Sequence, residues 1–355
     1  MADSTADDVI IRREGRAGRI TMNRPAALNA LTYPMVGAIW RALLQWRNDP
    51  AVALVILDGA GGRGLCAGGD VRSLYDSRGE GSGLARRFWT EEYHLNALIG
   101  RYPKPFVALQ DGIVMGGGIG LSGHASHRIV TERSLLAMPE TTIGLIPDVG
   151  GTWLLSRAPG ETGAYLGLTG ARMNAADAIY AGFSDAMVPA ASLAALVAGL
   201  VGSSRPVDAV IGEMKRDPPP GELAKRRPEI DAAFRFDTVE AIGDALAAMP
   251  GGWAMETLSG FAVRSPLSMK ATLAAIRGAR RLGSLEEALE AEYRLTVRLF
   301  EHGEFLEGVR ALLVDKDKSP RWNPTRLADV TPAMVAALMA PLPPDEELHL
   351  RPATV

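Results

Sequence analysis

Apolar positions follow two rhythms along this chain. Short apolar and β-branched runs flank a Gly-containing turn at 15–18, which predicts two strands, 9–13 and 19–22, the second ended by Pro25. Residues 33–47 place Met35, Ile39, Leu43 and Trp46 at helical spacing and predict an amphipathic helix. Residues 53–57 (ALVIL) are a continuous apolar run, as in a strand buried on both faces. Further strands are predicted at 105–109 and 127–131, and a helix at 88–100. One order therefore occurs twice: apolar strand, Gly-rich turn, helix. The copies are ALVILDGAGGRGLCAGGD (53–70) and PFVALQDGIVMGGGIGLSG (105–123). Strands alternating with helices argue for an α/β fold.

Between 203 and 228 the composition turns to Pro and charge (SSRP, RDPPPGE, KRRPE), which suggests a connecting region. Beyond it the pattern is helical at 239–248, 265–282, 284–301 and 305–314, with Ser284 and Glu287 spaced as a capping box. The expected division is a catalytic core, 1–205, and a mainly helical region, 206–355. The polar, Pro-rich tail after Pro341 is expected to be loosely held.

Composition narrows the function classes. The 355 residues are 47% hydrophobic, ample for a sizeable core. A formal net charge of -3 gives no global basicity for nucleic acid or an anionic membrane. The single cysteine, Cys66, excludes an internal disulfide and suits a reducing compartment. The start, MADSTADDVIIRREG, has neither the basic-then-apolar order of a signal peptide nor the Arg-rich character of a mitochondrial leader. No apolar run approaches the ~18 residues of a membrane span. A soluble, cytoplasmic protein is expected.

Candidate chemistry begins with the glycines. A Gly-rich turn leading into a helix leaves backbone N–H groups pointing outward, and two such turns facing one point would supply an oxyanion hole. Two tight turns without a ligand are the plain alternative. GIGLSG (118–123) matches a dinucleotide fingerprint, but the strand expected at 127 leaves too few residues for a crossover helix. GLSGH (120–124) misses the nucleophile elbow, so Ser122 is not expected to attack a substrate. His124 and His127 lack further ligands, and no metal is expected. Cys66 reads as a small buried residue.

The carboxylates say more. Glu140 and Asp148 both follow a proline, in a stretch from Leu135 to Leu155 otherwise free of charge. An acid in an apolar wall has a raised pKa and suits proton transfer. The alternative makes Glu140 a helix-start residue and Asp148 an N-cap. Glu91, Glu92 and Tyr93 lie in the expected helix, where a solvated acidic face is the default.

Four elements carry a resemblance to a known family: NRPAALNAL (23–31), CAGGD (66–70), PKPFVALQDGIVMGGGIGL (103–121) and MPETTIGLIPDVGG (138–151). In this order they resemble the crotonase (enoyl-CoA hydratase/isomerase) superfamily over about residues 9–200. The resemblance implies a spiral of ββα units with two sheets at a steep angle, a helical C-terminal region and a homo-oligomer. It implies a coenzyme A thioester as substrate, with no separate cofactor. It implies an oxyanion hole made by the N–H groups of Gly69 and Gly117. Hydratases of the family carry a second glutamate where this chain has Gly120, and typically Gly where it has Asp148. EEYHLN (91–96), EYRLT (292–296) and EGVRALLVDKDKSPRWNP (307–324) are similar instead to the family's hydrolase branch, which cleaves 3-hydroxyacyl-CoA thioesters. By that similarity Glu92, Gly117, Glu140 and Asp148 form the substrate-binding set, with Glu140 and Asp148 catalytic. An isomerase or hydratase of the same family and a non-catalytic CoA-ester binding protein are the rival expectations.

Overall fold

The structure is a computed structural model and describes residues 8–350. The expectation placed on the first residues, 1–7, and the last part of that for the tail, 351–355, lie outside the described residues. The chain divides into two compact units, each built from three separate segments. The division expected at 205 follows the chain, whereas these units cross it.

The first unit comprises 8–69, 94–136 and 172–222. Its strands are β1 (Val9–Glu14), β2 (Ala17–Met22), β3 (Leu54–Gly59), β4 (Gly64–Cys66), β5 (Phe106–Gln110), β6 (Ile113–Met115), β7 (His127–Val130), β8 (Leu135–Ala137) and β9 (Ala186–Met187). β8 ends one residue beyond the unit's edge. A six-stranded sheet runs β1-β2-β3-β5-β7-β9 and a three-stranded one β4-β6-β8. β1 and β2 form an antiparallel hairpin, and the pairings from β2 through β9 are parallel. Each strand–strand repeat thus gives its first strand to the large sheet and its second to the small one. The Gly-rich turns expected after 57 and 109 contain these second strands, so the repeat is ββα, as the resemblance implies.

Alternation decides which residues meet. Leu54, Ile56, Val107, Leu109 and Ile129 share one sheet face and pack with Leu196, Leu200, Val210 and Ile211. Those partners come from the helices Leu193–Gly202 and Val207–Met214. Val55, Leu57 and Ala108 point the other way and are buried too, hence the unbroken apolar runs. The helix Tyr33–Arg47 forms as its spacing predicts and buries Met35, Ile39, Leu43 and Trp46.

The second unit, 70–93, 137–171 and 223–350, is mainly helical. Its long helix Leu285–His302 starts at Ser284, whose side chain accepts the Glu287 N–H at 3.2 Å. The other half of the expected box differs: the Glu287 carboxylate takes the N–H of Gly283, at 2.8 Å. The single helix expected at 305–314 is an α-helix, Glu304–Val309, continued by a wider π-type turn through Val314.

Two expectations are corrected. The 203–228 region is not a plain connector, since it contains Val207–Met214 and the start of Leu223–Phe234. Pro228 lies inside the latter because Pro228 and Ala224, whose carbonyl loses its partner, are exposed to water. Nor is the tail after Pro341 loose. Leu342, Leu348 and Leu350 are buried, Glu347 pairs with Arg294 at 2.9 Å and Glu346 with Arg86 at 2.7 Å. Three leucines spaced among prolines anchor a segment that composition alone reads as unstructured.

Candidate active site

In the first unit, the Asn23–Leu31 motif explains how the Gly69 turn is held. Asn29 is buried and donates to the carbonyls of Ala60, at 3.0 Å, and Gly64, at 2.9 Å, while accepting the Arg24 N–H at 2.9 Å. Leu31 then donates to Gly68 O at 2.9 Å and bridges Gly69 in parallel. The second turn follows β6. Gly116 has φ 49°, and the short helix Gly117–Ser122 starts directly after it. A side chain at Gly118 would overlap the Cys66 carbonyl, so the two turns lie back to back only because Gly118 has none. Gly69 and Gly117 are thereby brought into one neighbourhood, and Gly117 lies in the helix's first turn, where N–H groups have no intrahelical partner.

Ser122 is fully buried, receives a hydrogen bond from Gln110 at 3.0 Å and donates to Gly118 O at 2.7 Å. Cys66 is buried. His127 lies 3.3 Å from Asp208.

The acids gather in the second unit. β8 runs into Pro139, and Glu140 opens a 3-10 turn, Glu140–Ile143, closed by Gly144 at φ 71°. Glu140 is therefore a helix-start residue in backbone terms, with its carboxylate buried and Oε2 without a hydrogen-bond partner among the described residues. Asp148 is not an N-cap. The cap of the helix Gly151–Arg157 is Gly150, and Asp148 keeps its carboxylate for other partners. Glu92 and Tyr93, on the helix Gly83–Gly100, are buried, while Glu91 faces solvent. The solvated acidic face expected there is thus confined to Glu91. Oε1 of Glu92, like Oε2 of Glu140, has no hydrogen-bond partner among the described residues.

These carboxyls act on one another. Burial pushes Glu140 well above the usual carboxylate range, and the charge of Asp148 adds to the shift, with Glu292 and Glu92 contributing. Burial and Asp148 do the same to Glu92. Asp148 is raised by burial to about 6, opposed by the hydrogen bond it accepts from Tyr93 Oη at 2.7 Å. Clustered acids that hold protons near neutral pH are equipped for proton transfer.

Four residues of this cluster carried no role in the sequence reading: Tyr93, Thr152, Glu292 and Thr296. Glu292 is buried and accepts the N–H of Gly150 at 2.7 Å, the N–H of Thr152 at 2.8 Å and the Thr152 hydroxyl. Tyr93 Oη also lies 3.4 Å from Thr296 Oγ1. A signal for Glu292 was present. It falls between Leu289 and Leu295/Thr296, on the apolar face of its helix, where an acid is out of place.

The sequence profile of the enoyl-CoA hydratase/isomerase family matches residues 17–339. Among curated relatives, the mitochondrial 3-hydroxyisobutyryl-CoA hydrolase of Xenopus tropicalis is 40% identical, over 93% of this chain and 89% of its own. The proteins of that name from Rattus norvegicus (41%) and Homo sapiens (40%) match over 91% and 92% of this chain and 86% of theirs. A solved structure described as a carnitinyl-CoA dehydratase, from Mycobacterium thermoresistibile, is 46% identical with a TM-score of 0.93, covering 97% of this chain and 99% of its own. One described as an enoyl-CoA hydratase, from Rhodobacter sphaeroides, is 46% identical with a TM-score of 0.91, covering 96% and 99%. The curated relatives are named as mitochondrial proteins, which overturns the cytoplasmic expectation. That expectation rested on one cysteine and one polar stretch, and neither specifies a compartment. The chain belongs to the enoyl-CoA hydratase/isomerase family, and the curated relatives it resembles within that family are 3-hydroxyisobutyryl-CoA hydrolases.

Proposed function

We propose that this protein hydrolyses the thioester of 3-hydroxyisobutyryl-CoA to the free 3-hydroxy acid and coenzyme A, as in valine catabolism. The observation that carries the reading is the buried cluster of Glu92, Glu140 and Asp148, in which two carboxylate oxygens have no hydrogen-bond partner among the described residues. The N–H groups of Gly69 and Gly117 receive the thioester oxygen as it becomes an oxyanion; one such donor is worth about 3–4 kcal/mol in the transition state. Ionised Glu140 either activates water, so that collapse of the tetrahedral intermediate expels the CoA thiolate and leaves the free acid, or attacks the carbonyl itself, so that the thiolate leaves first and water then cleaves the mixed anhydride; in both routes the thiolate takes up the proton that the water gives up. Asp148 and Glu92 bind the 3-hydroxyl, so that acyl chains lacking it leave buried acceptors unpaired. No cofactor beyond the substrate's own coenzyme A takes part, and the chain works as a homo-oligomer.

A hydratase or dehydratase is the second reading, favoured by the descriptions of the two 46%-identical structures. Against it stands Gly120, buried within Gly117–Ser122, where a paired-glutamate water addition calls for an acid. One assay separates them: follow free thiol and enoyl-thioester absorbance with 3-hydroxyisobutyryl-CoA, alongside a crotonyl-CoA reaction. Thiol release is expected. Reversible hydration with the thioester intact would reject the hydrolase reading.

A further inference from the structure

Asp148 sits at a difficult point of the backbone. The next two residues, Val149 at φ 52° and Gly150 at φ 80°, are both left-handed. For a β-branched valine this costs on the order of 1–3 kcal/mol and persists only where the surroundings impose it. The imposing group is one carboxylate. Glu292 accepts the N–H of Gly150 and both donors of Thr152, and so holds the chain within the strained pair and just beyond it. The same helix acts from the other side. Thr296, one turn on, touches Tyr93 Oη, and Tyr93 donates to Oδ2 of Asp148 at 2.7 Å. Tyr93 is itself fully buried and braced edge-to-face against Tyr293, with ring centroids 6.2 Å apart.

We propose that Glu292 and Tyr93 are positioning residues for Asp148: the Leu285–His302 helix aims its carboxylate at the substrate hydroxyl, Glu292 through the Val149–Gly150 turn and Tyr93 through Oδ2. Tyr93 fixes the carboxylate through Oδ2. The inference rests on the role given above to Asp148. It adds that hydroxyl selectivity depends also on residues that do not touch the hydroxyl. The charged and titratable groups around Asp148 are Glu92, Glu140, Glu292 and Tyr93. Removing the Tyr93 hydroxyl takes away the hydrogen bond that holds the Asp148 pKa down, so that pKa rises.

The test uses the full-length protein, with Tyr93→Phe, Glu292→Gln, Asp148→Asn and the two double variants built on Asp148→Asn. kcat/KM for thiol release is measured with 3-hydroxyisobutyryl-CoA and with isobutyryl-CoA. Binding of the non-hydrolysable thioether analogues of both is measured by calorimetry. Tyr93→Phe and Glu292→Gln are each expected to lower the preference for the hydroxylated compound about tenfold, in turnover and in binding. Once Asp148 is Asn, each is expected to add less than about twofold. The acid limb of the pH–rate profile is expected to move to higher pH in Tyr93→Phe. Equal losses on both compounds, or full additivity with Asp148→Asn, would overturn the proposal. If Glu292→Gln fails to fold, the nearly isosteric Tyr93→Phe still decides. A wild type that binds with the expected preference but releases no thiol would reject the hydrolase reading alone, because the binding ratios test the positioning separately.

Discussion

At the scale of the residue, the unusual feature is how many acids one helical unit buries. Glu92, Glu140, Asp148 and Glu292 are each at most 5% exposed. Burying one ionised carboxylate is costly, and placing several near each other adds repulsion, so Glu92, Glu140 and Glu292 are pushed toward the protonated form, while Asp148, raised only to about 6, carries the charge. An arrangement that opposes folding calls for a functional explanation. If Glu140 is the group that engages water or the carbonyl, Glu140→Ala lowers kcat by about 10²–10⁴-fold. Calorimetry with a thioether analogue is expected to show CoA-ester binding intact in that variant; near wild-type turnover would remove Glu140 from the chemistry. Asp148→Asn is expected to lose about 10–100-fold more rate with a 3-hydroxyacyl-CoA than with the plain acyl-CoA, as for a hydrogen bond to a charged group. A uniform loss would leave Asp148 with no part in hydroxyl recognition.

At the scale of the element, the turn that carries Glu140 is fixed by a backbone seam. Gly144 packs against the carbonyl of Glu304, and a side chain at Gly308 would overlap the backbone of Ile143. The segment similar to the hydrolase branch, 307–324, thus begins at the point where the C-terminal chain braces the turn that carries Glu140. Its charges tie the π-type turn together: Arg310 binds Glu307 at 2.7 Å, Asp315 at 2.6 Å and Asp317 at 2.7 Å. Gly308→Ala is accordingly expected to destabilise by about 1–3 kcal/mol, as overpacking does, and to lower kcat as Glu140 shifts. Ser284→Ala is the control. It removes a helix cap worth about 1 kcal/mol but touches no part of the acid cluster, so kcat stays at wild type. Urea unfolding and turnover measured together check both variants; a wild-type kcat in Gly308→Ala would mean that the seam does not set the geometry of Glu140.

At the scale of the whole molecule, the buried acids dictate how stability responds to pH. Asp148 is raised from 3.8 to about 6, and Glu292, mainly by burial, from 4.5 to about 8. Between each ordinary value and the folded one, the native chain holds a proton that the unfolded chain has released. Stability therefore falls as pH rises through those windows, by about 1.4 kcal/mol per pH unit for each group titrating. The surface acids Glu14 and Glu307 are shifted the opposite way, by hydrogen bonds from Arg19 and Arg310. Their contribution is lost only on acidification below the ordinary carboxylate range. Thermal unfolding is thus expected to shift to lower temperature from pH 5 to pH 8, with a shallower slope in Glu292→Gln. A flat or rising wild-type profile would contradict the shifts.

Periodicity and turn chemistry are local, and they determined by themselves β1, β2, β3, β5 and β7 of the large sheet, the helix at 33–47, the helical C-terminal region and the two Gly-rich turns, but not the two-residue β9. The run from Leu135 to Leu155, free of other charges, likewise made Glu140 and Asp148 stand out in the sequence. Only tertiary structure decided the rest, because burial is a property of the packed chain. It turned Glu92 inward while leaving Glu91 in solvent, and it gave the N–H groups of Gly150 and Thr152 to Glu292, from a helix more than a hundred residues away, rather than to Asp148. It also docked a Pro-rich tail that reads as loose, through three leucines whose partners lie elsewhere in the sequence. The glycines of the two turns show both sides. Their flexibility was legible in the sequence, but the reason Gly118 must lack a side chain, the Cys66 carbonyl pressed against it, exists only in the fold.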